Sequence, residues 1–279
     1  MTLLETTRER IGGHQLRVAR LGAHGAGPPI VLLHGYPENL QIWCELAPLL
    51  AAAGHEVVAL DWPGLGESDP WPGGLTPQHL GRRLGLLLDA WRIERAVIVG
   101  LDMGGQPALA CAAEMPGRVA AVVVMNSLVL GDEATSREIR VLRRDGWNRL
   151  ILRYLPRLVL TRAERTFLPP GTRLAPELRA EIWRSFRRPA VRDTIARMCA
   201  GYQAFIPRLA SLYPAIRRPV LALWGERDRH FPPAQAERLC TSLRDGRFAV
   251  VPGGEHWMAW HDPGAVASRI VEFLGSIEE

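Results

Sequence analysis

The segment that most restricts the fold of this chain lies at residues 97–105, where the sequence reads VIVGLDMGG. An apolar run typical of a buried strand leads into a turn bracketed by glycines, and a helix-like stretch follows. Glycines two places before and two places after Asp102 predict a sharp turn with a strained central residue and tiny neighbours. Such a turn lifts the Asp102 side chain above a sheet, near a helix N-terminus that favours an anion. Alternatively, Asp102 only caps the helix that opens at Gly104.

Short runs rich in Val, Ile and Leu alternate with helix-length segments along most of the chain. Near-continuous apolar strands of this kind are buried on both faces, which is typical of a parallel sheet. The alternation therefore predicts an α/β fold with a mostly parallel, doubly wound sheet and right-handed crossovers. Residues 15–21 alternate apolar and polar side chains, which predicts an antiparallel hairpin at the sheet edge. The predicted buried strands lie at 30–33, 57–60, 96–99, 119–125, 220–224 and 248–251, and the predicted helices at 40–53, 77–91, 104–114 and 264–277.

This alternation stops after Ser127 and resumes at Val220. Between about 128 and 216 the sequence has helical patterns interrupted by prolines and no convincing buried strand. The segment is too long for a loop inside a compact domain, so it predicts an inserted helical cap. We therefore expect an α/β core domain formed by residues 1–127 and 217–279, and a helical cap domain formed by residues 128–216.

The chain contains no lysine, and its arginines concentrate in the predicted cap. Residues 137–192 contain 15 arginines and 5 acidic residues, whereas the whole chain has a net charge of +5. One interpretation is a solvated helical lobe, and the other is attraction to an anionic substrate or partner. No basic-aromatic motif accompanies the charge, so nucleic acid is not an expected partner.

The sequence disfavours several other classes of protein. No window approaches the roughly 18 uninterrupted apolar residues of a membrane span, so no membrane partner is expected. Residues 1–5 lack the basic and then apolar pattern of a signal peptide, which predicts a cytoplasmic protein. The four cysteines are scattered without a C-x-x-C pair, so neither a metal site nor a cofactor is expected. They are Cys44, Cys111, Cys199 and Cys240.

Two segments that follow late predicted strands supply partners for a catalytic Asp102. Asp228 ends the segment LWGERD at residues 223–228, and His256 lies in PGGEHW at residues 252–257. An aspartate in this place would orient the histidine and stabilise its imidazolium form. Glu226 is the rival acid and His261 is the rival base.

With these segments and the loop His34-Gly35-Tyr36-Pro37, the chain resembles the α/β-hydrolase superfamily over nearly its whole length. Within it, H-G-x-P together with G-x-D-x-G-G resembles the epoxide hydrolase and haloalkane dehalogenase branch, and the order nucleophile, acid, histidine is that of the fold. The resemblance implies Asp102 as nucleophile, His256 as base and Asp228 as its orienting acid. It also implies an oxyanion hole formed by the backbone N–H groups of Tyr36 and Met103.

An aspartate nucleophile changes the expected chemistry relative to serine. A carboxylate is ionised near neutral pH and suits attack on an electrophilic sp³ carbon, with an alkyl ester of Asp102 as the intermediate. Attack on an ordinary ester would give an anhydride, so simple esterase activity is disfavoured. In a second step, His256 would take a proton from the water that attacks the Asp102 carbonyl carbon.

The leaving group distinguishes the two members of this branch. Haloalkane dehalogenases place a halide-binding Trp after the nucleophile and an Asn after H-G, where this chain has Met103 and Tyr36. Epoxide hydrolases use two cap tyrosines as donors to the ring oxygen. Tyr202 and Tyr154 are the candidates, with ordinary core packing as the alternative for each. Three tryptophans are candidates to line the substrate pocket, again with core packing as the alternative: Trp43, Trp62 and Trp257.

We therefore expect an epoxide hydrolase that acts on a small-molecule substrate, with a haloalkane-type dehalogenase as the alternative. A third possibility is an atypical lyase-like or ligand-binding member of the superfamily. The paired Asp228 and His256 count against a pure binding module, which has no need of a charge-oriented base. The identity of the substrate stays open, as does the oligomeric state, monomer or homodimer.

Overall fold

One sheet organises the part of the chain that the computed structural model describes, which is residues 1–23, 25, 27–132 and 134–278. Its strands are β1 (Thr7–Ile11), β2 (His14–Leu21), β3 (Ile30–Leu33), β4 (Val57–Leu60), β5 (Ala96–Leu101), β6 (Val119–Met125), β7 (Val220–Gly225) and β8 (Gly246–Val251). They lie in the order β1-β2-β4-β3-β5-β6-β7-β8.

The pairing of the strands follows from their side chains. The short apolar strands β3, β4, β5 and β7 are buried along their whole length, and β3 to β8 pair in parallel. Strands β1 and β2 form an antiparallel hairpin, and β2 joins the sheet antiparallel to β4. The predicted doubly wound, mostly parallel sheet with an edge hairpin is confirmed.

The helices surround this sheet. They are α1 (Leu46–Ala52), α2 (Pro77–Ala90), α3 (Gly105–Glu114), α4 (Arg137–Leu142), α5 (Trp147–Tyr154), α6 (Pro156–Phe167), α7 (Pro176–Phe186), α8 (Pro189–Ala210), α9 (Ala234–Thr241), α10 (Met258–His261) and α11 (Pro263–Glu278). None of those within the described residues combines the length and apolar character that crossing a bilayer requires.

Local chemistry explains where individual helices begin. Helix α2 starts at a proline, and the Thr76 hydroxyl accepts the His79 N–H, which is a standard N-terminal cap. The helix predicted at 40–53 is instead divided into a 3₁₀ turn at Leu40–Trp43 and the shorter α1. The 3₁₀ turn begins after Asn39, whose side chain caps it by accepting the Gln41 N–H at 3.0 Å.

Five helices, α4 to α8, lie between β6 and β7, and the described residues of this insertion form no strand. Three of them, α6, α7 and α8, begin at a proline, which suits the first position of a helix. The division of the chain into a core domain and a cap domain at residues 128–216 remains our proposal. We call helices α4 to α8 the helical insertion.

A buried cluster of charges joins the helical insertion to the sheet. Arg17 on β2 is only 3% exposed, and its Nε donates to Asp61 Oδ2 at 2.6 Å. Its Nη1 donates to Glu181 Oε1 on α7 at 2.5 Å. The other oxygen of the buried Asp61, Oδ1, accepts the Leu40 N–H at 2.8 Å. Helix α7 is therefore anchored to the core through charged groups that water does not reach.

The carboxyl ends of the parallel strands meet at one edge of the sheet. The loops after β3, β5, β7 and β8 begin there, and they carry Tyr36, Asp102, Asp228 and His256 respectively. Ligands bind at this edge in open α/β sheets because the loops converge there. The fold thus brings together residues that lie up to 220 positions apart in the sequence.

Candidate active site

Asp102 occupies a sharp turn between β5 and α3. Its φ is +49°, in the left-handed region that residues with a side chain rarely adopt. The Ser127 hydroxyl donates to the Asp102 carbonyl at 2.6 Å and so holds the turn. A Cβ on Gly100 would lie 2.3 Å from the Gly104 oxygen, and one on Gly104 would lie 2.1 Å from the Leu33 oxygen. The glycines are therefore required by the close approach of backbone to backbone.

His256 faces two carboxylates from the loop after β8. Its Nδ1 lies 2.9 Å from Asp228 Oδ2, and its Nε2 lies 3.8 Å from Asp102 Oδ2. The second oxygen of Asp228 accepts the backbone N–H groups of His230 and Phe231 at 2.7 and 3.1 Å. Asp228 is thus fixed on one side by backbone donors, and on the other side it can orient the imidazole of His256.

The two carboxylates control the protonation of His256, which is fully buried. Burial by itself lowers the pKa of His256, but the negative charges and hydrogen bonds of Asp228 and Asp102 outweigh burial and raise it to about 10. The imidazole is therefore protonated on both ring nitrogens, and so positively charged, at neutral pH while Asp102 is charged. Loss of either negative charge makes His256 a stronger acid.

Replacement of Asp102 by asparagine is expected to lower the pKa of His256 by about one to three pH units, since an opposite charge within a few ångströms has been removed. The decrease is partial because Asp228 keeps its hydrogen bond to Nδ1. An NMR titration of the imidazole of His256 in the two proteins measures the change. Asp193→Asn, at an exposed aspartate on α8, is the matched control. An equal pKa in wild type and Asp102→Asn would contradict the proposed charge coupling.

The loop after β3 brings a backbone donor to the nucleophile. The Tyr36 N–H donates to Asp102 Oδ2 at 3.2 Å. A Cβ on Gly35 would lie only 2.4 Å from the Asp102 Cβ, so glycine at that place lets the loop approach. Met103, the other predicted donor, is the middle residue of the 3₁₀ turn Asp102–Gly104, and its side chain is buried. The role of its N–H in an oxyanion hole remains a prediction.

Tyr202 projects from α8 and is 6% exposed. Its buried hydroxyl has no hydrogen-bond partner among the described residues. The Gln106 side chain lies beside this hydroxyl and opposes the rise of its pKa, and the Gln106 amide donates to the Leu128 carbonyl at 3.1 Å. Burial, together with Cys199 and the charge of Asp102, raises the pKa of Tyr202 well above its ordinary value. The hydroxyl therefore stays protonated and free to donate to a bound molecule.

Tyr154 is not part of this site, contrary to the prediction that it is a second donor to a ring oxygen. Its side chain is 66% exposed, and the Arg153 guanidinium lies 5.5 Å from the centre of its ring. Helix α5 instead buries Asn148 and Leu152, which lie on its other face. The amphipathic pattern of α5 was compatible with either face packing inward, so the sequence did not determine the direction of Tyr154.

The three tryptophans that were predicted to line the substrate pocket are all buried, and none of them lines the cavity described below. Trp43 and Trp62 are buried in the core, and their indole N–H groups have no partner among the described residues. Trp257 is also buried, and its Nε1 donates to Glu38 Oε2 at 3.1 Å. For all three, the core-packing alternative describes the structure better.

A cavity of about 310 Å³ lies between the core loops and helices α4 to α6. Most of its lining is apolar. Asp102, His256 and Tyr202 are not among its lining residues, but Tyr36, Phe167 and His230, which contact or lie beside the catalytic residues, form one of its walls. Leu142, Ile151 and Leu158 of the helical insertion also line it. The ring centre of Phe167 is 4.3 Å from that of His256. The cavity therefore suits the apolar part of a small substrate next to the catalytic histidine.

Glu38 is a site residue that our sequence analysis did not identify. It is 4% exposed, and its Oε1 accepts the Gly35 N–H at 3.1 Å while Oε2 accepts the Trp257 indole N–H. Burial and the charge of Asp102 raise the pKa of Glu38 to about 7. The side chain ties the loop of Tyr36 to the loop of His256. Its position directly after His34-Gly35-Tyr36-Pro37 was the sequence feature that could have identified it as a site residue.

His230 and Asn126 were also missed. The His230 ring lies 5.7 Å from that of His256, and burial and the neighbouring His256 lower its pKa to about 4, so it stays neutral. Asn126 has a φ of +42°, and its side-chain amide donates to the carbonyls of Glu255 and His256 at 3.1 and 2.8 Å. Its Oδ1 accepts the Gly225 N–H at 2.9 Å. Asn126 therefore fixes the histidine loop against the end of β7.

The rival acid and the rival base both have structural partners. Glu226 Oε2 accepts the Gly253 N–H at 2.8 Å, and His261 Nε2 accepts the Glu255 N–H at 3.1 Å. Neither is hydrogen-bonded to His256 or Asp102. Their contacts are those of residues that shape the loop carrying His256.

Comparisons with known proteins agree with the fold and differ in activity. A family model described as alpha/beta hydrolase fold matches residues 28–263. A 2-hydroxy-6-oxononadienedioate/2-hydroxy-6-oxononatrienedioate hydrolase of Paraburkholderia phymatum is 29% identical over 275 residues, which cover 95% of this chain and 93% of that protein. A solved structure from Pseudomonas aeruginosa, provisionally named an epoxide hydrolase, is 26% identical with a TM-score of 0.83, and the match covers 100% of this chain and 98% of that one. A thermophilic esterase from Thermogutta terrifontis is 24% identical with a TM-score of 0.80, and the match covers 99% of this chain and 100% of that one.

Proposed function

The chain belongs to the alpha/beta hydrolase fold family, and from that premise we propose that it hydrolyses an epoxide to a diol through a covalent alkyl ester of Asp102. The observation that carries the proposal is the carboxylate at the turn after β5. Asp102 accepts the Tyr36 N–H at 3.2 Å and lies 3.8 Å from a histidine that Asp228 orients. A carboxylate in this place favours attack on an electrophilic sp³ carbon, because attack on an acyl carbon would give an anhydride.

In the first step, an oxygen of Asp102 bonds to one epoxide carbon and the ring carbon–oxygen bond breaks. The electron pair stays on the ring oxygen, which takes the proton of Tyr202. The Tyr202 hydroxyl is suited to this role because it is protonated, buried and without a partner among the described residues. Opening of a strained ring needs this proton, since an alkoxide is a poor leaving group in an apolar cavity.

Formation of the ester changes the acidity of His256. The raised pKa of about 10 depends partly on the charge of Asp102, and the ester removes that charge. His256 then releases its proton, which restores the Tyr202 hydroxyl through solvent. The neutral imidazole, still held by Asp228, is now a base. The loss of the Asp102 charge thus converts His256 from an acid to a base between the first step and the second, and this conversion needs no conformational change.

In the second step, His256 takes a proton from water as the water oxygen bonds to the Asp102 carbonyl carbon. The negative charge that develops on the carbonyl oxygen is stabilised by the Tyr36 N–H. The ester carbon–oxygen bond then breaks, and the departing alkoxide takes the proton back from His256 to complete the diol. The carboxyl group of Asp102 returns a proton to His256, which regenerates the starting state.

The Tyr202→Phe variant is expected to form the ester on the order of 10²- to 10⁴-fold more slowly, because the departing oxygen loses its proton donor. Hydrolysis of the ester should change little. Rapid-mix, single-turnover measurements with a generic epoxide separate the two rates. Tyr154→Phe is the matched control, since this tyrosine is exposed on α5 and should behave as wild type. Ester formation at the wild-type rate in Tyr202→Phe would contradict the assignment of the proton donor.

A second candidate function comes from the names of the relatives. Several curated relatives at 26–29% identity are named as hydrolases of 2-hydroxy-6-oxononadienedioate and 2-hydroxy-6-oxononatrienedioate. An activity of that kind would act on a dicarboxylic keto acid, and Asp102 would then act as a base towards water and not as a nucleophile.

Activity measurements on three substrate classes distinguish the candidates. Purified protein should hydrate a generic epoxide, and Asp102→Ala should abolish this activity. Release of halide from a panel of haloalkanes would favour the dehalogenase alternative. Cleavage of the dienedioate keto acid without any epoxide hydration would favour the second candidate. Epoxide hydration that survives in Asp102→Ala would refute the proposal.

A further inference from the structure

An exposed apolar surface lies on helices α5 and α6. Of the eight large hydrophobic side chains that are exposed among the described residues, five lie within twelve positions of one another, with exposed fractions between 47% and 66%. On α5, Trp147, Leu150 and Tyr154 follow a spacing of three and four residues and share one face, and Leu155 and Leu158 continue the exposed apolar surface into the start of α6. We call them the α5–α6 patch: Trp147, Leu150, Tyr154, Leu155 and Leu158.

Positive charge surrounds this patch. Residues 137–158 contain seven arginines and only two acidic residues. Arg149 and Arg153 alternate with patch residues along α5, and both are exposed. Asp145, which lies two residues before α5, pairs with Arg149 at 3.1 Å, and both side chains are more than half exposed. The patch is therefore an apolar surface with a cationic border.

We propose that the α5–α6 patch and its bordering arginines bind the surface of a bilayer that contains anionic phospholipid. Apolar side chains, Trp among them, on one face and arginines beside them are the features of segments that lie in the membrane interface. Each arginine close to an anionic surface adds to the binding. The expectation of no membrane partner was based on the lack of a spanning segment. The absence of a spanning helix among the described residues does not bear on this surface, because peripheral binding needs no span.

Charge argues against a second copy of the chain as the occupant of the patch. A symmetric dimer places the same patch on both subunits, so the arginine borders would face one another. Like charges opposed across an interface are repulsive. An anionic surface instead complements the net positive charge of residues 137–158.

The patch is continuous with the cavity next to the catalytic histidine. Leu158 belongs to both, and Ile151, which lies between patch residues on α5, also lines the cavity. Docking through the patch would turn this side of the cavity towards lipid. An apolar substrate dissolved in the bilayer would then have a short path to the cavity, a consequence that rests on the proposed function, whereas binding to the bilayer does not.

Co-sedimentation with vesicles tests the inference. The full chain is mixed with vesicles of phosphatidylcholine alone and of equal parts phosphatidylcholine and phosphatidylglycerol. We expect binding to the mixed vesicles that weakens with added salt. The variant Trp147→Ser/Leu150→Ser changes two patch residues that do not line the cavity, and it should bind about tenfold or more weakly. Arg149→Gln/Arg153→Gln should reduce binding to a similar extent.

The matched control is Leu49→Ser/Leu86→Ser, which removes two exposed leucines from α1 and α2 of the core. It should bind vesicles as wild type does. Circular dichroism of each variant checks that it is folded.

Absence of binding to mixed vesicles, or equal binding by Trp147→Ser/Leu150→Ser and the control, would overturn the proposal. A concentration-dependent dimer in sedimentation velocity that Trp147→Ser/Leu150→Ser abolishes would instead identify the patch as a contact between copies. Failure of epoxide hydration would leave the vesicle result unchanged, so the two proposals are tested separately.

Discussion

Replacement of His256 by glutamine is expected to stop turnover after the first step and to leave a covalent adduct on Asp102. Glutamine keeps a polar group beside Asp228, but it cannot take a proton from water. Removal of a general base slows the step that it serves on the order of 10²- to 10⁴-fold. Because the first step uses Asp102 and Tyr202, the ester should form and then accumulate. Intact-mass measurement after addition of an epoxide should show one added substrate molecule, and peptide mapping should place it on Asp102.

Two variants make this result specific. Asp102→Ala/His256→Gln should show no adduct, because the attacking carboxylate is absent. His261→Gln removes the neighbouring histidine, whose ring nitrogen accepts the Glu255 N–H, and should turn over substrate without a lasting adduct. An adduct on another residue, or none in His256→Gln with any electrophilic substrate, would exclude the alkyl-ester mechanism. In that case Asp102 would act as a base, as the second candidate function requires.

The sequence was sufficient to place the residues at the ends of the strands. Asp102, Asp228 and His256 each follow a short apolar run bounded by turn residues, as a strand of a parallel sheet does, and parallel strands end at the same edge of a sheet. Their proximity therefore follows from the periodicity and the order of the segments. The glycines beside Asp102 identify the turn, because only a residue without a Cβ permits the observed approach of the backbone.

In the helical insertion, the sequence patterns did not determine which side chains face the site. Tyr154 was predicted to face the site, yet α5 buries Asn148 and Leu152. The sequence of α5 offers apolar residues on more than one face, so only tertiary packing decides which face turns inward. The contact between Arg17 and Glu181 joins residues 164 positions apart. Nothing in the local sequence of either residue indicates the other.

Loss of that contact is expected to produce the largest change in stability among the substitutions considered. Arg17→Met keeps much of the side-chain volume but removes the guanidinium from two buried carboxylates, so that Asp61 loses its cation and Glu181 keeps only its pair with the exposed Arg184. Removal of one partner from a buried ion pair destabilises a protein by about 3–5 kcal/mol, because the remaining charge is not solvated. Urea unfolding of the two proteins measures the difference in the free energy of unfolding.

A surface pair provides the matched comparison. Arg82 pairs with Glu114 at 3.0 Å, with half of the arginine side chain exposed, so Arg82→Met should change the free energy of unfolding by less than about 1 kcal/mol. Equal destabilisation by Arg17→Met and Arg82→Met would contradict the importance of burial. The double variant Arg17→Met/Glu181→Leu should recover part of the loss, since it removes one of the two buried carboxylates that lose Arg17.

The same substitution should also affect the catalytic loop. Glu181 and Phe186 both belong to α7, and the Phe186 ring packs edge-on against Tyr36 at 6.0 Å between ring centres. Asn39, three residues after Tyr36, donates to the Ser185 hydroxyl at 3.1 Å. Loss of the Arg17 contact should therefore make α7 and the loop that carries Tyr36 more mobile. Amide hydrogen exchange at Tyr36 should accelerate in Arg17→Met but not in Arg82→Met. The buried ion pair thus connects the attachment of the helical insertion to the geometry of the nucleophile.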